Sequence, residues 1–341
     1  MQQLDLNRFE LTGILGTGAD YEVRSAVDRE SQSQVVLKRP VPQAIRNLMH
    51  GPVETRTDRT IQAYEEIGAN LTHLSPIVGY TERANHDEYY GDSFRQEYRV
   101  LVMERAAGIP LVGDARSRIL RVPIGLGQNL FALYPLGHSN DKVAFTVHQQ
   151  LLDVEEAFAK IGYLLLDLSP QNVYYQPESD RITVIDSGEL IRNGEQADSR
   201  HRIHRDFHDF FLEILKFYIT AQYPPADVQL YRDPQNLRPV LNFEQELDEI
   251  AGAFSGVVDS SRESALSMIS KVRNRVYSDF TEFRLDLSSY LNDVRARNQK
   301  LPDPSEARKA WKGALELLRA EHWGRYIFDH QTALARFDGL S

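Results

Sequence analysis

Three polar residues stand at the ends of short apolar runs and could do chemistry together: Asp167, Asn172 and Asp186. The stretch reads Ile161-Gly-Tyr-Leu-Leu-Leu-Asp167-Leu-Ser-Pro-Gln-Asn172-Val-Tyr-Tyr175, then a polar turn, then Ile182-Thr-Val-Ile-Asp186-Ser-Gly188. Val173–Tyr175 and Ile182–Ile185 read as two strands. The segment 176–181 between them holds Pro177, Ser179 and Asp180 and reads as a hairpin turn. Asp167 and Asn172 then lie on the loop entering the first strand, and Asp186 ends the second. One carboxylate can take a proton from an attacking hydroxyl, while the amide oxygen and the other carboxylate are hard ligands suited to magnesium. A nucleotide-phosphate site needs this set. The alternative for the same residues is two loop caps and a turn aspartate.

The elements that must position such a site can be read upstream. Phe9-Glu-Leu-Thr-Gly-Ile-Leu-Gly16-Thr-Gly18 alternates and ends in glycines, and Tyr21–Asp28 alternates again. A polar turn at 29–34 leads to a third short strand, Val35-Val36-Leu37-Lys38. Glycines between strands let the backbone approach a ligand closely. A dinucleotide fingerprint needs a helix after the glycines, and a strand follows here, so that reading is set aside. Residues 39–58 read as an insertion or short helix. Arg59–Leu74 carries Tyr64, Ile67, Leu71 and Leu74 at helical spacing, and Ser75-Pro76 stops it. Ile77–Arg83 and Glu97–Arg105 read as a hairpin. Val147, Leu151, Val154 and Phe158 mark a helix over 142–161, and Phe207, Phe210, Phe211, Ile214, Leu215, Tyr218 and Ile219 mark another with a broad buried face.

In their order along the chain these motifs resemble the protein kinase superfamily. The Asp-x-x-x-x-Asn spacing of Asp167 and Asn172 resembles its catalytic loop, and Asp186-Ser187-Gly188 its Asp-Phe-Gly metal loop. The resemblance covers about residues 9–220. It implies an α+β, two-lobed protein-kinase-like fold: a small β-rich N-lobe (1–105) with one regulatory helix, and a larger, mainly helical C-lobe (106–301) with an inserted segment at 109–142. A C-terminal helical extension (302–341) would pack on or beside the C-lobe. By the resemblance, ATP lies between the lobes. Gly16 and Gly18 stand for the first two glycines of the glycine-rich loop, with Tyr21 at the third, and Val23 packs on the base. Lys38 reaches the phosphates. Glu66, with Glu65 the alternative, pairs with Lys38 from the regulatory helix. Met103 is the gatekeeper, and backbone groups of Glu104 and Ala106 meet the adenine edge. Asp167 is the catalytic base, Asn172 and Asp186 hold Mg2+, and Asp206 braces the catalytic loop unless it is a plain N-cap.

The chain departs from the family in several places. Leu165-Leu166 replaces His-Arg, Ser169 stands where a lysine is usual, and Ser187 replaces the phenylalanine. The span from Gly188 to Asp206 is short, with no Ala-Pro-Glu motif. These features are similar to small atypical kinases of the Rio kind and partly to aminoglycoside phosphotransferases. Residues 109–142 read as two extra strands that cover the cleft, dock a partner, or only decorate a loop. His201, His204 and His208 are surface groups or, less favoured, a metal site.

Composition sets the outer bounds. A chain of 341 residues with 42% hydrophobic and 26% charged residues is an ordinary globular chain, long enough for two lobes. A formal net charge of −10 argues against a nucleic-acid backbone or an anionic membrane as main partner. The absence of cysteine excludes disulfides and thiol catalysis. Without a signal-like start or an apolar run of spanning length, a cytoplasmic location is expected. The functional expectation is an atypical Ser/Thr protein kinase using ATP and magnesium on a protein substrate, with a partner surface at 109–142 or the C-terminal helices. A pseudokinase scaffold and a small-molecule kinase are the alternatives.

Overall fold

Period-two alternation builds the first part of the fold. The strands are β1 (Gln2–Gln3), β2 (Phe9–Thr17), β3 (Tyr21–Asp28), β4 (Gln34–Pro40), β5 (Ile77–Tyr80), β6 (Ala84–Asn85), β7 (Glu97–Tyr98) and β8 (Leu101–Glu104). Six of them form one sheet in the order β1-β5-β8-β4-β3-β2, and β6 pairs with β7. In this computed structural model the described residues are 1–18, 20–41, 52–68, 72–110, 146–168, 172–176, 178–179, 181–188, 190–194, 206–219, 242–298 and isolated positions between 327 and 335. Most of the 109–142 segment and of the C-terminal extension lies outside them, as do Ser169, His201 and His204.

The register of β4 decides what its two faces carry. Val23 is opposite Lys38, and Glu22 is opposite Arg39. Val35, Leu37 and Arg39 therefore share a face with Glu22, Arg24 and Ala26, and Lys38 shares the other with Tyr21 and Val23. The first face buries Leu37, Val100 and Val102 beside Tyr90 and Tyr98 from the 84–98 excursion, which includes the short helix α2 (Asp87–Tyr90). Each such apolar side chain contributes about 1.5–3 kcal/mol.

Helix α1 spans Val53–Ile67 and ends at Gly68 with φ +70°. It starts six residues before the expected Arg59. Its buried residues are Val53, Arg56, Thr57, Thr60, Ile61, Ala63 and Tyr64, so the first half of its inner face is polar and an apolar count could not find it. Helix α3 (Thr146–Lys160) leads to β10 (Tyr163–Leu165), which pairs antiparallel with β13 (Leu190–Arg192). Between them, β11 (Val173–Gln176) and β12 (Arg181–Val184) form the expected hairpin, and β11 also pairs with β9 (Ile109–Pro110). A Cβ on Gly108 would come within 2.5 Å of Tyr175 O, so glycine is required where the chain passes β11.

The helical part comprises α4 (Phe207–Phe217), α5 (Phe243–Ala253), α6 (Ser260–Arg273) and α7 (Phe280–Asn298). Asp206, Asn242 and Asp259 cap the first three, each accepting from a backbone N–H in the first turn. Phe211 of α4 stacks on Phe283 of α7 at 4.0 Å between ring centroids. The fold is mixed α+β, β-rich in its N-terminal region and helical in its C-terminal region. Among the described residues no helix is long and apolar enough to cross a membrane.

The chain divides into two compact units. The first is Met1–Ala106 with Ala157–Leu165 and Ile185–Arg205; the second is Ala107–Glu156 with Leu166–Val184 and Asp206–Ser341. The expected break at 105/106 thus omits two later segments of the first unit. They belong there because β10 pairs with β13 and because loop 185–188 bonds to β4 and α1.

Candidate functional site

Lys38 and Asp186 are 148 residues apart in sequence, and Lys38 Nζ donates to Asp186 Oδ1 at 2.5 Å. Lys38 is buried in the sheet, whereas the Asp186 side chain is about one-third exposed. Gly188 N–H donates to the same oxygen at 2.8 Å. A Cβ at Gly188 would lie 3.0 Å from that oxygen, so glycine lets the loop curl back on its own carboxylate. Burial alone would raise the Asp186 pKa. The Lys38 charge and hydrogen bond, the Gly188 amide and the nearby Arg56 charge outweigh it and hold the carboxyl below its ordinary value. Asp186 is therefore an anion at neutral pH, as a magnesium ligand must be.

The backbone of this loop is held by α1. Arg56 Nη1 donates to Gly188 O at 3.4 Å, Thr60 Oγ1 to Ser187 O at 3.1 Å, and Ser187 Oγ bonds the Tyr64 hydroxyl at 3.4 Å. Residues 56, 60 and 64 recur every four positions, which aligns them along one helix face. Arg59 Nη1 adds a bond to Leu190 O at 2.8 Å. On the other side of the cluster, Lys38 Nζ sits 4.4 Å from the centroid of the Tyr21 ring, and the Tyr21 hydroxyl bonds Thr57 Oγ1 at 2.7 Å. Burial pushes the Tyr21 and Tyr64 phenols well above their ordinary values, so both keep their protons.

The expected Lys38–Glu66 pair is absent. Glu66 is exposed and accepts from Gln62 Nε2 at 3.0 Å, and Glu65 binds the N-terminal ammonium of Met1 at 3.1 Å. The physical reason is the rotation of α1, which turns Arg56, Thr60 and Tyr64 inward and both glutamates outward. Sequence reading missed this polar stripe. Its detectable signal is hydrogen-bonding residues at i, i+4 and i+8 in a helix lacking apolar residues at those places.

Gly16 lies opposite Val23 in the β2–β3 register, and Gly18 N–H closes the turn on Tyr21 O at 2.8 Å. A Cβ at Gly16 would meet no atom within 4 Å, so the chain's own packing does not demand glycine there. Met103 is buried opposite Val36 and Ile77. The Glu104 amide is taken by Pro76 O at 3.0 Å, and its carbonyl accepts from Ser75 Oγ at 2.9 Å. Of the two expected adenine-facing positions, Ala106 is the one whose N–H has no partner among the described residues.

In the second unit, Asp167 has φ +70°, a left-handed backbone uncommon for a residue with a Cβ. Such a conformation costs about 1 kcal/mol or more and persists only where its surroundings enforce it. Asn172 Nδ2 donates to Asp167 O at 3.1 Å and to Asp167 Oδ2 at 3.0 Å. The amide oxygen of Asn172 is left for another partner, as a metal ligand needs to be. One residue on, the Tyr218 hydroxyl donates to Leu168 O in a short hydrogen bond. The brace on this loop is therefore Tyr218, where the resemblance put Asp206.

Asp206 is the N-cap of α4. It accepts from His208 N–H at 2.8 Å and pairs with His208 Nδ1 at 2.9 Å and Arg275 Nη1 at 2.5 Å. Burial would raise its pKa, but the His208 bonds and the Arg275 charge lower it to about 2. Among the described residues no group of three or more His, Asp or Glu side chains forms a metal cluster, and His208 is engaged with Asp206.

The sequence therefore arranges a buried lysine paired with a partly exposed aspartate on a helix-braced loop in one unit, and a strained, doubly braced aspartate beside the Asn172 amide in the other. No protein-family model matches the chain, and no curated protein matches it.

Proposed function

We propose that the protein is an ATP-dependent phosphotransferase of protein-kinase-like fold, an atypical Ser/Thr protein kinase acting on a hydroxyl of a protein substrate. The observation that carries this reading is the Lys38–Asp186 pair, formed across 148 residues between the strand after a glycine-rich turn and an Asp-Ser-Gly loop. Bound Mg-ATP supplies the transferable phosphoryl group. Lys38 would neutralise phosphate charge, and Asp186 in the first unit and the Asn172 amide oxygen in the second are the ligands that the resemblance assigns to magnesium. Asp167 orients the acceptor hydroxyl and takes its proton. The turn at Gly16 and Gly18 leaves room for phosphate oxygens, and the Ala106 N–H is available to an adenine edge. Catalysis by such a set is positioning and charge neutralisation.

The test is magnesium-dependent transfer of labelled γ-phosphate from ATP to the protein itself, to generic acceptor proteins and to small hydroxylated acceptors. Label is expected on protein, and Asp186→Ala and Asp167→Ala should each abolish it. Transfer that survives Asp186→Ala contradicts the assigned roles. Label on small acceptors alone changes the substrate class. One observation favours a pseudokinase scaffold: Lys38 Nζ and Asp186 Oδ1 are paired directly at 2.5 Å. A magnesium-dependent rise in melting temperature with ATP, without transfer to any acceptor, is the result that reading requires.

A further inference from the structure

Two residues beside the Lys38–Asp186 pair have no part in the reaction above. Arg56 of α1 is buried, with its side chain 6% exposed, and its Nη2 lies 2.7 Å from Asp20 Oδ2. Asp20 belongs to the turn that follows Gly18. Despite the short distance, among the described residues Arg56 Nη2 makes no aligned hydrogen bond, and Arg56 Nε and Asp20 Oδ1 have no hydrogen-bond partner. The remaining bond of the guanidinium, from Nη1 to Gly188 O, is long at 3.4 Å.

A buried guanidinium has five donors in a rigid fork, and leaving them unsatisfied is costly. This chain shows elsewhere how a structural arginine is built. Arg39 is also buried and donates to Glu22 and to the Tyr98 hydroxyl, with Asp92 Oδ2 2.6 Å from its Nη1 as an unaligned ion pair and its guanidinium over the Tyr90 and Phe94 rings. Arg56 has the burial without the satisfaction.

We propose that Arg56 is a second phosphate-binding cation of the Lys38–Asp186 site, and that Asp20 is a stand-in which a polyphosphate displaces from it. This rests on the nucleotide-binding reading. A phosphate presents three oxygens to the fork where a carboxylate presents two, so it can engage donors that Asp20 leaves idle. The neighbourhood has the right charge. Lys38 and Arg56 face Asp186 and Asp20, two cations against two anions. Turning Asp20 away leaves a net positive site for a polyanion. The exchange asks little of the backbone, because Asp20 O stays bonded to Val41 N–H at 2.9 Å while the carboxylate rotates. Arg56 also lies close enough for its charge to help keep Asp186 ionised. It would thus register phosphate through the α1 stripe that holds loop 187–188.

The experiment is calorimetric titration of the full chain with inorganic tripolyphosphate and with Mg-ATP. Asp20→Asn should tighten tripolyphosphate by about tenfold, because the internal competitor is gone. Arg56→Gln should weaken it by about tenfold, and Asp20→Asn should have no further effect in that background. A folded Asp20→Asn variant that binds tripolyphosphate no better than the parent chain overturns the inference, because the pair is then a structural latch. If Arg56→Gln does not fold, Asp20→Asn and Asp20→Ala decide alone. Label transfer by the parent chain without tightening in Asp20→Asn sinks the inference and leaves the kinase reading standing. Tightening without any label transfer does the reverse. A parent chain that binds neither ligand overturns both.

Discussion

Lys38 and Arg39 are neighbours on one strand and meet opposite fates. Both are buried cations, and period-two alternation sends them to opposite faces of the sheet. Arg39 enters an environment that occupies its guanidinium nitrogens: the Glu22 carboxylate, the Tyr98 hydroxyl and the nearby Asp92 charge, with two aromatic faces at 3.8 and 4.4 Å, although among the described residues both Asp92 oxygens and the Tyr90 hydroxyl make no aligned hydrogen bond. Lys38 enters a cluster that is balanced in charge but incompletely bonded, where Arg56 and Asp20 keep idle hydrogen-bonding groups. Under the proposed function, the difference separates a cation that holds the fold from one placed to meet a ligand. Burial alone does not make the distinction; the bonding of the guanidinium nitrogens does, occupied at Arg39 and partly idle at Arg56.

Arg39→Ala gives the largest expected effect and tests the finished side. Removing Arg39 leaves Asp92 without its cation and Glu22 with Arg24 alone, so denaturant unfolding should show a loss of about 3–5 kcal/mol. The folded fraction should keep its affinity for Mg-ATP. Lys38→Ala should show the opposite pattern, with Mg-ATP affinity lost by calorimetry. A cost below about 1 kcal/mol for Arg39→Ala would mean that the 84–98 excursion is held by its apolar contacts alone.

The second unit extends the comparison to a buried group kept neutral. His148 on α3 bonds Tyr218 O at 2.7 Å, and burial lowers its pKa from 6.5 to about 4. The unfolded chain takes up this proton below pH 6.5 and the folded chain only near pH 4. The stability from neutral His148 is therefore complete above pH 6.5 and is lost as pH falls through 4, a total of about 3 kcal/mol. Unfolding free energies at pH 7, 5.5 and 4.5 should show this slope, and His148→Gln should flatten it. An unchanged slope in that variant would assign the acid sensitivity to the carboxylates.

Tyr218→Phe should have a smaller effect with a diagnostic split. Losing the bond to Leu168 O costs about 1 kcal/mol of stability. Because that carbonyl follows the strained Asp167, kcat should fall by about tenfold while KM for ATP stays unchanged. An unchanged kcat would show that Asn172 alone holds Asp167 in place.

Much of this architecture was legible before any coordinates. Strands β2 to β4 lie where alternation in the sequence places them, with register shifts in β2 between Leu11 and Gly13 and between Ile14 and Gly16, and Val147, Leu151, Val154 and Phe158 are all buried along α3 as their spacing requires. Asp167, Asn172 and Asp186 were singled out by residue type and spacing and Lys38 through the resemblance, and the contacts described among them are Lys38 with Asp186 and Asp167 with Asn172. What escaped has physical causes. β10 and β13 are three residues each, too short for a periodic signal, and β1 has two. The start of α1 was hidden because Arg56, Thr57 and Thr60 face inward, a pattern that hydrophobic periodicity counts as solvent-facing. Asp206 carried two readings, and the cap prevailed because its carboxylate is committed to His208 and Arg275.

The smallest expected effect is the sharpest test of the comparison. In the resemblance, a glutamate of the regulatory helix completes the lysine site, and Glu66 held that place. The structure leaves Glu66 exposed beside Gln62 and gives Lys38 to Asp186, with Arg56, Thr60 and Tyr64 holding the loop. An exposed charge away from buried networks contributes within about 0.5 kcal/mol. Glu66→Gln should then leave the melting temperature and the KM for ATP unchanged within about twofold, and so should Glu65→Gln. A large loss of transfer in Glu66→Gln alone would require α1 to turn when nucleotide binds, bringing Glu66 to Lys38 and releasing Asp186. The Lys38–Asp186 pair would then be a resting contact, and the polar stripe of α1 would hold the inactive arrangement. An inert Glu66→Gln means that this chain has exchanged a lysine–glutamate clamp for an arginine–threonine–tyrosine one, with the incomplete side of the sheet already in its working form.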